Sequence, residues 1–379
     1  MLSRNVSKFS KTLNLTYFWV WRSDCDWHPC LKKGVLCQQA VHHYIGHVGT
    51  SVTRSLSTTN CKMAETPHSD ETTCSSKKDI SPHLKGISRY NQENIRRAVE
   101  TIMDSDALLI TAGAGMGVDS GLPDFRGPQG FWKAYPPLKE RGLTLPAMSN
   151  PQWFEDDPEF AWGFFGHRYN LYSNTEPHEG FQILKSWAEK MAKGHFVFTS
   201  NVDGHFQKAG FPEDKITECH GSINYLQCTD ADKFPNIWPV PAGFSPQVDE
   251  KTLRAKKPLP LGPDGEDICL ARPNIMMFGD WSWVSYRSDD QYEEFCKFKK
   301  TLRYAKLAVV ECGAGLSVPT VRAASENQLE HSIVKKGVLI RINPREPDVP
   351  EEEHNISIEL GARAALKAMN GLLKEKGWY

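Results

Sequence analysis

Two glycine-rich turns, each directly after an apolar run, are the clearest chemical signals in the chain. ALLITAGAGMGV at 107–118 and LAVVECGAGLSV at 307–318 share a strand-like run followed by GAG. Glycine permits a tight turn and lets backbone N–H groups approach a phosphate, so two such turns would hold the two ends of a dinucleotide. The alternative is a pair of ordinary strand-to-helix turns. Neither turn matches GxGxxG, and no strand bearing an acidic residue about twenty positions later is evident, which disfavours a hydride-transfer enzyme.

The first turn continues into a less common motif, SGLPDFRG at 120–127. Pro123 stiffens this loop, while its glycines leave it free to fold over a bound ligand. Arg126 would neutralise a phosphate, and Phe125, which follows Asp124, would shield a reacting sugar from water. The alternative for an isolated PDFR sequence is a salt-bridged surface turn.

Two further segments carry side chains suited to ligand recognition and to proton transfer. TSNVDG at 199–204 follows an apolar run, and the amide of Asn201 together with the carboxylate of Asp203 would recognise a carboxamide such as nicotinamide. ECHGS at 218–222 presents His220, a residue type whose ordinary pKa lies near neutrality and suits a general base. The structural alternatives are a capped turn for the first segment and a hydrogen-bonded surface histidine for the second.

The elements that must position these residues indicate an α/β fold. Apolar residues at helical spacing between Ile95 and Met103 predict a helix, with Asn91 as a candidate cap, which leads into a strand at 107–111. Strands buried on both faces are predicted at 195–200, 306–312 and 337–343, with helical stripes between them at 162–169 and 181–191. The fold class is therefore a doubly wound, Rossmann-like parallel sheet, in which ligands bind outside the carboxyl ends of the strands.

Length and composition restrict the classes of partner. A chain of 379 residues can form one large or two ordinary domains. With 45 Lys and Arg against 46 Asp and Glu, nothing indicates nucleic acid as the main partner, and no eighteen-residue apolar run indicates a membrane span. The ligand is expected to be small or another protein, and no motif indicates an oligomeric state.

Residues 1–62 differ in composition from the rest of the chain. Their acidic residues are Asp24 and Asp26 alone, among many basic, Ser and Thr residues, which is typical of a transit peptide and predicts a mitochondrial protein. The alternative is a shorter cytoplasmic or nuclear form that starts at Met63. Residues 63–85 are predicted to be a disordered linker, so the ordered domain is expected at 86–379. The cysteines beyond the linker are scattered without a CxxC pair, as in a reducing compartment.

The order of the motifs strongly resembles the sirtuin family of NAD-dependent protein deacylases. GAG with SGLPDFRG is followed by TSNVDG, ECHGS, RPNIMMFGD, CGAGLSVP and IRINP, from about residue 90 to the C-terminus. The resemblance implies a transferase that uses NAD and an acyl-lysine protein substrate. The acyl oxygen would attack the anomeric carbon as nicotinamide leaves, and a base would then take a proton from a ribose hydroxyl. The products would be nicotinamide, deacylated lysine and acyl-ADP-ribose.

The resemblance also implies a role for each matching position. His220 would be the catalytic base, and Phe278 and Gly279 would lie in the loop that pairs with an extended substrate peptide. The positions implied to bind the cofactor are Gly113, Ala114, Gly115, Asp124, Phe125, Arg126, Ser200, Asn201, Asp203, Gly313, Ser317 and Asn343.

The chain departs from the family where sirtuins carry four zinc cysteines as two close pairs. Cys228 and Cys269 each stand alone, and no histidine lies between His220 and His331, so we expect no metal. The inserted module at 223–271 would then be held by packing of aromatic residues such as Phe234, Trp238 and Phe244.

Three functions remain open at this point. The leading hypothesis is a divergent NAD-dependent deacylase. The second is NAD-dependent ADP-ribosyl transfer to protein or water, which needs the same pocket without an acyl-lysine tunnel. The third is a non-catalytic NAD-binding interaction protein, because the zinc module is incomplete.

Overall fold

A computed structural model describes residues 81–123, 127–262, 269–329, 336–351 and 353–378. The predicted leader at 1–62 and the loop residues Asp124, Phe125 and Arg126 lie outside these described ranges, and the predictions made for them stay predictions. No helix in the described ranges is long and apolar enough to cross a membrane.

The described elements follow one another as α/β units with an insertion. The helices are α1 (Arg89–Asp104), α2 (Gly127–Ala134), α3 (Pro136–Glu140), α4 (Leu145–Met148), α5 (Trp153–Asp156), α6 (Pro158–Asn174), α7 (Glu179–Ala188), α8 (His205–Lys208), α9 (Tyr286–Thr301), α10 (Thr320–Asn327) and α11 (Ala362–Glu375), with 3₁₀ turns at Pro82–Leu84, Ala114–Ser120 and Glu213–Lys215. The strands are β1 (Ala107–Ala112), β2 (His195–Thr199), β3 (Ile216–Glu218), β4 (Gly221–Cys228), β5 (Ile237–Pro239), β6 (Val248–Asp249), β7 (Arg254–Ala255), β8 (Ala271–Ile275), β9 (Lys306–Cys312), β10 (Lys336–Ile342) and β11 (Ile356–Ile358).

A six-stranded parallel sheet forms the core of the described residues, in the order β11-β10-β9-β1-β2-β3. The order of connection reverses between β1 and β9, the position at which doubly wound sheets bind their ligands. Ala112 pairs with Cys312 at the ends of these two strands, so both glycine turns begin side by side. The predicted parallel sheet is confirmed, and so are its four long strands.

Helices cover both faces of this sheet. Alternate residues of β1, namely Leu108, Ile110 and Ala112, join a core cluster with apolar residues of α1, α7 and α11. On the opposite face Phe196 and Phe198 of β2 contact Phe295 of α9. Burial on both faces explains why these strands have continuous apolar sequences rather than alternating ones.

Residues 81–85 form defined structure, although the sequence predicted that they belong to the linker. Pro82–Leu84 form a 3₁₀ turn in which the backbone N–H of His83 donates to the Ser81 hydroxyl, and Leu84 is fully buried in the core cluster beneath the sheet. Helix α1 then begins at Arg89 with Ser88 as its cap, since the Ser88 hydroxyl accepts from the backbone N–H of Asn91. The linker boundary at 85 and the cap at Asn91 were therefore wrong, because a polar segment with one buried leucine gives little sequence signal.

The inserted module consists of a small antiparallel sheet and a hairpin that pack against α6. Strands β5-β4-β8 form the sheet, and β6 pairs with β7 in the hairpin. Helix α6 approaches this hairpin closely at Gly163, where a Cβ would lie 2.0 Å from the backbone oxygen of Leu253. Trp238 and Phe244 pack against an aromatic core that the module shares with α6, as predicted, whereas Phe234 does not belong to this cluster.

Candidate active site

The two glycine turns contact each other through their backbones. Gly115 donates its N–H to the carbonyl oxygen of Gly313 at 3.0 Å. A Cβ at Gly113 would lie 2.8 Å from the Cα of Ala314, and one at Gly313, whose φ is +64°, would lie 2.4 Å from the carbonyl carbon of Gly115. The glycines are therefore required by the contact between the turns, and Ala114 is the exposed residue of the first GAG turn.

The second turn is held from beneath by Asn343. This side chain is fully buried and donates to the carbonyl oxygen of Ala314 at 2.7 Å. Its oxygen accepts from the backbone N–H groups of Arg345 and Glu346, both at 3.1 Å. Ser317, in contrast, lies on an exposed bend, so Asn343 braces the turn while Ser317 is accessible to a ligand.

The segment that leads into the PDFR loop is fixed by contacts that the sequence did not indicate. The carboxylate of Asp119 accepts from the backbone N–H of Arg363 at the start of α11, at 2.8 Å. The hydroxyl of Ser120 accepts from the backbone N–H of His178 at 2.9 Å. Because the Nδ1 of His178 accepts from Gly180, its Nε2 donates to the carbonyl oxygen of Met116 at 3.0 Å. The loop thus starts from a rigid support.

Asn201 joins the end of β2 to the first glycine turn. Its amide nitrogen donates to the carbonyl oxygen of Gly113 at 3.1 Å. Thr199 orients it, because the Thr199 hydroxyl accepts from the Asn201 backbone N–H at 3.0 Å and donates to the carbonyl oxygen of Ala112 at 2.9 Å. Ser200 also donates its N–H to Ala112 at 3.2 Å. Asn201 therefore contacts the first glycine turn. Thr199 was not singled out from the sequence as its support, and the predicted role of Asn201 in recognising nicotinamide stays a prediction.

Asp203 makes a turn-capping contact, which was the structural alternative to ligand recognition for this segment. One carboxylate oxygen accepts from the backbone N–H of His205 at 2.9 Å, which closes a turn at the start of the short helix α8. Asp203 remains half-buried, and the described contacts give no direct link to the glycine turn.

His220 lies at the corner between β3 and β4. Desolvation by burial lowers the pKa of its imidazole to about 4, so the ring is neutral at physiological pH and can accept a proton. Its Nε2 lies 3.5 Å from the hydroxyl of Thr320, the first residue of α10 after the second glycine turn. Its backbone oxygen accepts from the N–H of Met276 at 3.0 Å. His220 therefore borders both the second glycine turn and the loop after β8.

Helix α9 holds strand β3, which leads directly to His220. The buried carboxylate of Glu218 pairs with Arg287 at 2.7 Å. The hydroxyl of Thr217 donates to the backbone oxygen of Gln291, and the side-chain oxygen of Gln291 accepts from the Glu218 N–H, both at 3.0 Å. These contacts hold β3, which ends two residues before His220. The sequence showed no pattern that would have revealed them.

The loop after β8 carries the predicted peptide-binding residues. Phe278 is 43% exposed, and its N–H donates to the carbonyl oxygen of Ser149 at 2.9 Å. Gly279 has φ +72° with open space around it. The carboxylate of Asp280 forms a buried ion pair with Arg272 at 2.7 Å, which fixes the loop to β8.

The two cysteines of the inserted module form a disulfide, with Cα atoms 5.9 Å apart. Within the described ranges, no group of three or more His, Cys, Asp and Glu residues could hold a metal ion. The disulfide joins the end of β4 to the start of β8, a link that the expectation of scattered thiols did not include.

Comparison with known proteins identifies the family. The model of the Sir2 family matches residues 113–298. NAD-dependent protein deacylase 1 of Archaeoglobus fulgidus is 30% identical over 270 residues, which cover 70% of this chain and 93% of that protein. The chain belongs to the Sir2 family, as the motif order predicted.

Other similarities are consistent with this assignment. A probable bifunctional ADP-ribose hydrolase/ADP-ribosyltransferase of Fusarium oxysporum f. sp. cubense is 29% identical over 251 residues. The matched residues cover 63% of this chain and 41% of that protein. The crystal structure of a Sir2 homologue–NAD complex has a TM-score of 0.51 and 23% identity, covering 74% of this chain and 94% of that one. This structural similarity confirms the fold.

Proposed function

We propose that this protein is an NAD-dependent protein-lysine deacylase that transfers the acyl group to ADP-ribose and releases nicotinamide. The observation that carries the proposal is the position of His220, a neutral imidazole that borders both the second glycine turn and the loop after β8. The cofactor is NAD, which the relatives that are named deacylases also require.

The residues of the chain have separate tasks in this reaction. NAD supplies an activated bond between nicotinamide and ribose. The exposed backbone at Ala114 and the accessible Ser317 lie at the switch point of the sheet and would contact the dinucleotide. Asn201, held on the first turn by Gly113, would orient the nicotinamide end. His220 would take the proton from a ribose hydroxyl once the acyl oxygen has attacked, and one water molecule would be consumed as the acyl group leaves the lysine nitrogen.

The neutral state of His220 fits this role. A base must be unprotonated before the reaction, and burial keeps the imidazole in that form. Thr320 is the polar side chain that contacts Nε2, so a ribose hydroxyl that enters the site would compete for this nitrogen.

ADP-ribosyl transfer is the second candidate, and the Fusarium relative favours it. Both reactions break the same bond of NAD, but they differ in the nucleophile. Deacylation needs an acyl oxygen, whereas ADP-ribosyl transfer uses a protein side chain or water.

Nicotinamide release from NAD by the full chain distinguishes the two. It should be measured with and without acetyl-, succinyl- and long-chain acyl-lysine peptides, for the wild type and for His220→Ala. The proposal expects release that depends on an acyl peptide and falls about 100-fold or more in the variant. Release without any acyl peptide would instead support ADP-ribosyl transfer, and NAD binding without release would support the non-catalytic hypothesis.

A further inference from the structure

The surface on either side of His220 is formed by two loops, 276–285 after β8 and 313–319 after β9, which we call the flanking loops. Met276 of the first bonds to the backbone oxygen of His220. The second leads directly into Thr320, whose hydroxyl lies 3.5 Å from the imidazole. A substrate chain that brings a modified lysine to His220 must therefore pass close to both flanking loops.

These loops expose large apolar side chains. In the described part of the chain, ten large hydrophobic residues are exposed, and four of them belong to the flanking loops. They are Phe278 (43%), Trp281 (85%), Leu316 (60%) and Val318 (42%). These four side chains lie on the two loops that border His220, where exposed apolar surface suits contact with a partner chain.

The flanking loops also lack exposed charge. Asp280 is the single ionisable residue in their sequences. Its side chain is buried in the ion pair with Arg272. A partner that approached these loops would therefore meet apolar surface and backbone groups, without a charged side chain to select acidic or basic neighbours.

Trp281 is presented by a fixed backbone. On one side, Asp280 is held by Arg272 at 2.7 Å. On the other, the hydroxyl of Ser282 donates to Asp280 at 3.3 Å, and its carbonyl oxygen accepts from Gln227 at 2.8 Å. An aromatic side chain on a rigid support loses little freedom on binding, which is the usual property of an anchor residue at an interface.

We propose that Trp281 determines substrate specificity, and that the flanking loops select acyl-lysine segments with large apolar residues beside the lysine. This inference rests on the proposed deacylase function, which it deepens by naming the class of protein segment bound. Burial of a leucine against an indole face, less the freedom lost on binding, corresponds to an affinity gain of about tenfold.

The test uses two acetyl-lysine peptides that are identical except for Leu or Ser on both sides of the lysine. Dissociation constants are measured with the full chain in the presence of ADP-ribose, so that binding is observed without turnover. The leucine peptide should bind the wild type about tenfold more tightly than the serine peptide. Trp281→Ala should reduce this ratio below about threefold, and Trp281→Phe should restore it, because an aromatic face remains.

Tyr304→Ala is the matched control, since Tyr304 is a 68% exposed aromatic residue that precedes β9 at the amino end of the sheet. It should leave the tenfold ratio unchanged. Equal affinities for the two peptides, or a preference that persists in Trp281→Ala, would overturn the inference. Nicotinamide release with NAD is measured on the same samples. Its absence would contradict the proposed function alone, because the binding ratio does not depend on catalysis.

Discussion

The large parallel sheet and the inserted module are held together by different kinds of contact. At the carboxyl edge of the sheet, two glycine turns pack backbone against backbone and leave no space for a side chain at Gly113 or Gly313. In the module, a disulfide and an aromatic core hold short strands, and the loop beside it exposes Trp281. The sheet edge therefore has no room for a side chain at these glycines, whereas the loop beside the module presents an exposed indole.

Gly313→Ala tests the contact between the two glycine turns and has the largest expected effect. The added Cβ would meet Gly115 at 2.4 Å, and the residue has φ +64°. Overpacking against backbone and an unfavourable φ should together lower the free energy of unfolding by about 5 kcal/mol and abolish NAD binding. Urea denaturation and calorimetry measure both.

Gly142→Ala is the control, because Gly142 has φ +65° but open space around it. It should lower the free energy of unfolding by about 1 kcal/mol and leave NAD affinity unchanged. An equal loss of unfolding free energy in the two variants would show that the contact between the turns contributes nothing to stability.

Loss of the disulfide tests the module. Replacing both Cys228 and Cys269 by Ser removes a link between residues 41 apart in sequence. Chain entropy predicts a loss of about 4 kcal/mol on unfolding in urea. NAD affinity should change less than threefold, because the proposed cofactor site lies at the sheet edge.

Cys296→Ser, on α9, removes a cysteine outside the disulfide and should change neither quantity by much. A large fall in NAD affinity in the double variant would mean that the module and the sheet edge are coupled, contrary to the comparison.

Asn201→Asp tests the link between β2 and the first glycine turn. The substitution replaces the donor to the Gly113 carbonyl with a carboxylate oxygen that repels it. NAD should bind about 30-fold more weakly, equivalent to about 2 kcal/mol.

Asn170→Asp removes a similar bond between α6 and the module, from the amide of Asn170 to the carbonyl oxygen of Pro246 at 2.8 Å. Its NAD affinity should stay at the wild-type value. If both variants bound NAD equally weakly, the effect would come from general destabilisation.

The smallest expected effect is a pH dependence. His220 has a folded-state pKa of about 4, below the usual 6.5, so the unfolded chain binds its proton first as the pH falls. Stability is therefore lost as the pH drops below 6.5, by about 1.4 kcal/mol at pH 5.5 relative to pH 7.5. Urea unfolding should show this additional loss in the wild type and not in His220→Ala. An equal pH dependence in both proteins would contradict the desolvation of His220.

The sheet was predictable because its signal is local. The runs at 107–110 and 307–310 are apolar at every position, since both faces of the sheet are covered. The glycine turns and Asn201 follow directly after such strands, and their positions were correctly inferred. Asn343 was also placed at a strand end, but its complete burial depends on the turn above it.

The contacts that support the site were not predictable, because they join residues far apart in sequence. Thr320 is 100 residues from His220, and Asp119 is 244 residues from Arg363. The ion pair of Glu218 with Arg287 likewise links β3 to a helix that is reached only after the inserted module. A single sequence shows residue types at these positions but not their partners.

The identity of the acyl acceptor tests the central claim most directly. The full chain is incubated with NAD and an acyl-lysine peptide that supports nicotinamide release, and the products are quantified by mass spectrometry. The account predicts nicotinamide, deacylated peptide and acyl-ADP-ribose in equal amounts, with none of the last formed by His220→Ala. Nicotinamide accompanied by free ADP-ribose or ADP-ribosylated protein, with the peptide still acylated, would contradict it.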